Sequence, residues 1–95
     1  MHSSRTVGGE IVNGENPDWG PLLQLAPDVV DDFMWMFEIA MEDGRRLHAY
    51  KHCETRRYLH LDCDGAAFVF TRDERYQQVD ASWLLAMVLA MGPNY

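Results

Sequence analysis

RRLHAYKHCETRRYLHLD, residues 45–62, is the stretch on which the reading of this chain turns. Arg45, Arg46, Lys51, Arg56 and Arg57 are five of the chain's eight cationic side chains, and His48, His52 and His60 are three of its four histidines. Tyr50 and Tyr58 stand among them, and only Glu54 and Asp62 oppose the charge. Leu47 and Ala49 alternate with His48, Tyr50 and His52. After a break at residues 53–55, Leu59 and Leu61 alternate with Tyr58, His60 and Asp62. A period of two predicts two strands, and the short break predicts that they form a hairpin.

Working outward, Trp35, Phe37, Ile39 and Met41 alternate with Met34, Met36, Glu38 and Ala40, which predicts another strand. Glu42-Asp43-Gly44 then reads as a three-residue hairpin loop with glycine in the left-handed position. On the other side, Asp64-Gly65 signals a two-residue turn. Phe68 and Phe70 follow, alternating with Ala67, Val69 and Thr71. Residues 72–78 read as a polar connection with one extended turn around Tyr76. Asp80 or Ser82 caps a helix from Trp83 to Met91, stopped by Gly92-Pro93. Pro21 and Pro27 suit first helical positions and predict short helical turns over residues 21–25 and 27–33. Residues 1–16 are small and polar, with Gly8, Gly9 and Gly14 and no period, and read as a flexible tail. The expected fold is one α+β domain over residues 17–95. It has a four-stranded antiparallel meander with short N-terminal helical turns and one C-terminal apolar helix on one face.

Loop lengths set the expected register. Three residues at 42–44, three at 53–55 and two at Asp64-Gly65 gather Phe37, Ile39, Met41, Leu47, Ala49, Leu59, Leu61, Phe68 and Phe70 on a core face. The opposite face then carries Glu38, His48, His60 and Val69 in one row. Met36, Tyr50, Tyr58 and Thr71 form the next row, and Ala40, Arg46, Asp62 and Ala67 the third.

That face predicts a binding or regulatory module using Arg46, His48, Tyr50, Arg56, Arg57, Tyr58 and His60 toward a phosphate-bearing ligand or a protein partner. Arginine forks suit phosphate oxygens and tyrosines offer stacking surfaces. The alternative is a small metal-independent ribonuclease or toxin-like enzyme using Glu38, His48 and His60, because histidine exchanges protons near neutral pH. The same three residues form a two-histidine, one-carboxylate set, but Cys53 and Cys63 lack zinc-ligand spacing, so no metal and no cofactor are expected. No nucleophile elbow, P-loop or dinucleotide fingerprint is present, which favours a binder over a catalyst.

The net charge of −7 opposes general binding to nucleic acid or anionic membranes, and leaves only weak, local nucleic-acid binding at the basic stretch. The apolar run around residues 83–91 is too short to span a bilayer. Cys53 and Cys63 fall at opposite ends of one strand, too far apart for a disulfide, and read as free thiols in a reducing, cytoplasmic setting. The helix from Trp83 to Met91 is apolar nearly all round, so it either packs across the sheet or offers a homodimer contact.

Overall fold

A computed structural model describes residues 6–90. Its first hairpin is the one that Gly44 signals. β3 (Phe33–Met41) and β4 (Arg46–His52) pair antiparallel, with Ile39 opposite Leu47, Glu38 opposite His48 and Phe37 opposite Ala49. Gly44 takes the left-handed φ of +94° that closes the loop.

The next two turns each differ from expectation by one residue. Lys51 lies opposite Tyr58, and the His52 N–H donates to the Arg57 carbonyl at 2.9 Å. The loop therefore holds four residues, Cys53 to Arg56, with Arg56 itself at a φ of +66°. The loop before β6 holds three residues, Cys63 to Gly65. The Asp62 N–H donates to the Ala66 carbonyl at 2.9 Å and Gly65 takes φ +88°. A one-residue change moves every following side chain to the other face. Leu47 consequently opposes Asp62, Ala49 opposes His60, and His60 opposes Phe68. β5 (Tyr58–Asp62) thus sends Leu59 and Leu61 to one side of the sheet and Tyr58, His60 and Asp62 to the other.

The four-stranded meander is also corrected in extent. β6 (Ala67–Phe70) is followed by a further strand, β7 (Tyr76–Val79). Residues expected in the flexible tail form β1 (Thr6–Val7) and β2 (Gly9–Asn13). The sheet has seven antiparallel strands in the order β1-β7-β6-β5-β4-β3-β2. β1 and β2 are separated only by Gly8, so a single segment pairs with β7 on one side and β3 on the other. That segment joins the two ends of the sheet into a nearly closed barrel and covers edges that would otherwise be open. The seam is hydrogen-bonded through Glu42, whose N–H donates to the Gly8 carbonyl at 2.8 Å and whose carboxylate accepts the Gly8 N–H at 3.1 Å. Arg75 donates to the same carboxylate and to the Thr6 carbonyl. A Cβ on Gly9 would fall 2.9 Å from the Ile39 Cγ2, so the close approach of β2 to β3 requires glycine there.

Both faces of β4 and β5 are buried. The barrel interior holds Ile39, Met41, Leu47, Ala49, Phe68 and Tyr76. The outer face packs Tyr50, Leu59, Leu61 and Ala67 against Leu22 and Ala26 from the first helical segments and Leu84 and Val88 from the last. A register shift at Met36 turns Trp35 to this outer face while Phe37 stays inside. α1 (Gly20–Leu25) has six residues and is followed by a 3₁₀ segment over Pro27–Asp32. α2 (Ala81–Leu89) is the one helix longer than two turns among the described residues. The Asp80 carboxylate caps it by accepting the Trp83 N–H at 2.8 Å. Leu84 and Val88 face the sheet while Trp83 and Met87 are exposed. The α+β class and the antiparallel sheet stand; the strand count, the register and the face that the helical segments cover do not. Met91, the expected helix end, lies outside the described residues.

Candidate ligand site at the barrel mouth

The seven residues expected to share one basic face are divided among three places. Arg46 is exposed and pairs with Glu38 at 3.0 Å, and Arg56 is exposed in its loop. His48, Tyr50 and Arg57 are buried beneath the helical segments, and Tyr58 and His60 belong to the barrel interior. The longer β4–β5 loop turns Tyr58 and His60 inward, and the helical segments pack over the outer face that was expected to meet solvent.

Each buried member has structural partners. Trp35 Nε1 donates to His48 Nδ1 at 3.1 Å, so Nε2 carries the proton and lies 3.6 Å from the Asp18 carboxylate. The Tyr50 hydroxyl donates to the Asp18 carbonyl, and burial followed by the Asp18 charge pushes its pKa above the ordinary tyrosine range. Arg57 Nη1 donates to the Met87 and Ala90 carbonyls, each at 2.7 Å, and Thr55 donates to Val88 at 2.8 Å. The basic loop is thus the C-terminal cap of α2. His52 Nδ1 accepts the Glu54 and Thr55 N–H groups and orders the same loop. The catalytic row is corrected likewise. Glu38 and His48 are opposed, but His60 leaves the sheet on the other side. Among the described residues, no three His, Cys, Asp or Glu side chains gather as a metal set. Cys53 and Cys63 are exposed free thiols, and no described helix is long and apolar enough to cross a membrane.

A different site emerges where the barrel interior opens. A cavity of about 310 Å³ is lined by Ile11, Phe37, Tyr58, His60, Phe70 and Tyr76. Its rings form a continuous wall. Phe37 and Tyr58 have centroids 6.1 Å apart, and Tyr58 stacks on His60 at 5.8 Å with planes 13° apart. Tyr76 meets His60 edge-on at 5.5 Å and Phe70 at 5.0 Å. At the rim, Ile11 is 60% exposed and Phe70 is 55% exposed. The other end of the barrel has a larger cavity, about 480 Å³, beside Arg45, Arg46 and Asp62. Its cations already face carboxylates, Arg45 those of Asp43 and Asp62, and Arg46 that of Glu38. The apolar mouth is therefore the better ligand site.

His60 gives the mouth its electrostatic character. Burial lowers its pKa from 6.5 to about 4, and a hydrogen bond with the Phe68 backbone opposes the shift only in part. At neutral pH the wall is uncharged. Burial also raises the Tyr76 pKa, so that hydroxyl stays protonated.

The sign of the stability effect follows. Between about pH 6.5 and 4 the unfolded chain protonates His60 while the folded chain does not, so unfolding takes up a proton and acid favours it. Stability should fall across that window by about 3 kcal/mol and then level off. His60→Phe should flatten this acid limb, as read by urea midpoints at a series of pH values.

Apolar alternation marks Phe37 and Phe70 for the core face of a sheet, and Tyr76 stands in a segment whose polarity reads as a connection. Ile11, isolated in a polar segment, carried no period to mark it. Comparison of the chain with protein-family models, curated proteins and solved structures finds no match.

Proposed function

We propose that this chain is a small binding module that takes an apolar group into the mouth of its barrel. The observation that carries the reading is the wall of four aromatic rings and an uncharged His60 around an open cavity of about 310 Å³. That volume is at the small end of ligand pockets, roughly 300–1,000 Å³, and barrel mouths are recurrent places for them. Exposed rims such as Phe70 and Ile11 are the kind of apolar surface that a ligand covers. The reading retains the binding-module class and moves the site from the basic strands to the barrel interior. The two exposed free thiols accord with a reducing, cytoplasmic setting.

Titration with indole, followed by chemical shifts, tests it. Shifts should concentrate on Tyr58, His60, Phe70 and Tyr76. Phe70→Ser should weaken binding about tenfold, the ~1.4 kcal/mol expected for one ring contact. Its melting should change little, because that side chain is already half in water. Unchanged affinity in Phe70→Ser would remove the mouth as the site.

A further inference from the structure

We infer that the group bound in the mouth is a planar aromatic ring bearing an anionic head, the ring lying along Tyr58, His60 and Tyr76 and the head meeting Lys51. This deepens the reading of the mouth as the binding site and rests on it.

The interior-facing columns of β4 and β5 run from an acidic end to a cationic one. Going toward the mouth, β4 turns Leu47, Ala49 and Lys51 inward, and β5 turns Asp62, His60 and Tyr58. Asp62 is the acidic end. Its carboxylate accepts the Asp64 and Ala66 N–H groups, both at 2.9 Å, and Arg45 lies 3.5 Å away. Lys51 is the cationic end. Among the described residues it is the one lysine or arginine that the inward columns of the paired strands carry. Its ammonium lies 5.6 Å from the centroid of the ring of Tyr58, which lines the cavity.

The rings select the body of the ligand. Five consecutive rings, from Phe37 through Tyr58, His60 and Tyr76 to Phe70, have neighbouring centroids 5.0–6.1 Å apart. Such a wall offers both π faces and edges, which favour another ring in stacked or edge-on contact over an aliphatic chain. The small volume suits one or two fused rings.

Lys51 selects the head. Aromatic faces also attract cations, and the chain's net charge of −7 would draw them from a distance. Yet the Tyr58 face already has an ammonium over it, so a cationic ligand would meet a like charge in a cavity with uncharged walls. Screening weakens the pull of acids farther away than about 8–10 Å, whereas the Lys51 ammonium stands directly beside the ring wall. A carboxylate at that point pairs with it; an amine is repelled.

The full chain is titrated at low salt with indole, indole-3-acetate, tryptamine and decanoate, using shifts at Tyr58, Tyr76 and Phe70 and calorimetric affinities. Indole-3-acetate should bind at least tenfold more tightly than tryptamine, with indole between them. Lys51→Gln should bring indole-3-acetate to the level of indole while leaving its shifts on the same rings and leaving melting unchanged. Tryptamine binding as tightly as the acid, or an unaffected acid in Lys51→Gln, would overturn the anionic head while indole shifts keep the mouth as the site. Decanoate binding with no response to any indole would overturn the aromatic ring. Silence at these residues with all four compounds would overturn the mouth itself.

Discussion

Leu61→Asp is expected to leave the protein unfolded under conditions where the parent chain is folded. Leu61 has no exposed surface. It lies in a strand with neighbours on both sides, opposite His48 on β4 and Ala67 on β6. On its own face it belongs to the cluster that includes Tyr50, Leu59, Leu84 and Val88. Removing the leucine alone costs about 2–5 kcal/mol in a well-packed core. The carboxylate that replaces it must also be buried without a prepared partner, or be protonated at further cost. Against a total stability of about 5–15 kcal/mol for a domain of ordinary size, the sum removes most or all of the margin. Leu23→Asp is the matched control, since Leu23 is exposed on α1. It should retain the parent circular-dichroism spectrum and melt within a few degrees. Parent-like melting of Leu61→Asp would mean that the helix-covered face of the sheet is not a core.

Arg57→Ala should lower stability by about 3–5 kcal/mol, while Arg56→Ala changes it by no more than about 0.5. The two arginines are adjacent in sequence and opposite in circumstance. Arg57 is 7% exposed and donates to the carbonyls of Met87 and Ala90, at the end of α2 where backbone acceptors have no partner within the helix. Hydrogen bonds from a charged donor contribute about 1.5–3 kcal/mol each, and alanine would also leave a void along the arginine stem. Arg57→Lys should recover only part of the loss, because an ammonium cannot reproduce the planar fork. Urea midpoints of the three variants decide the matter. Equal stability of Arg56→Ala and Arg57→Ala would return Arg57 to the surface, as the basic stretch first suggests.

The contrast between those two arginines also shows what can be read without coordinates. The β3–β4 hairpin is legible because a glycine sits where the loop needs a left-handed residue, and the apolar alternation on each side is unbroken. The β4–β5 loop is not, since Arg56 adopts the left-handed backbone that glycine or asparagine would normally announce. Asp64-Gly65 is a true turn signal, but it serves a three-residue loop in which Asp62 caps two N–H groups. The extra residue in the β4–β5 loop inverts β5, so His60 passes from an expected solvent row to the barrel interior, and the extra residue in the β5–β6 loop returns Phe68 to the face it was expected to share with Leu47. Alternation could not correct this, because both faces of β4 and β5 are buried and histidine, tyrosine and arginine supply one side of each.

The strand segment at residues 6–13 was illegible for another reason. Only Val7, Ile11 and Val12 are apolar there. Its extended form comes from pairing with β3 and β7, which are distant in sequence and bring their own edges. β7, Tyr-Gln-Gln-Val, is similarly polar and depends on its neighbours. The mouth is the joint product of these hidden elements: Ile11 comes from β2, Tyr76 from β7, and His60 from the inverted strand. Of the expected binding residues, Tyr58 and His60 do line one cavity, with companions that the basic stretch does not contain.

The most direct test of the central claim, that barrel closure buries His60 in an uncharged aromatic mouth, is an NMR titration of the histidine ring protons with pH. His60 should remain neutral until the pH approaches about 4, or until the fold is lost. A His60 ring that titrates near 6.5 in the folded protein, the ordinary value for a histidine in water, would contradict it.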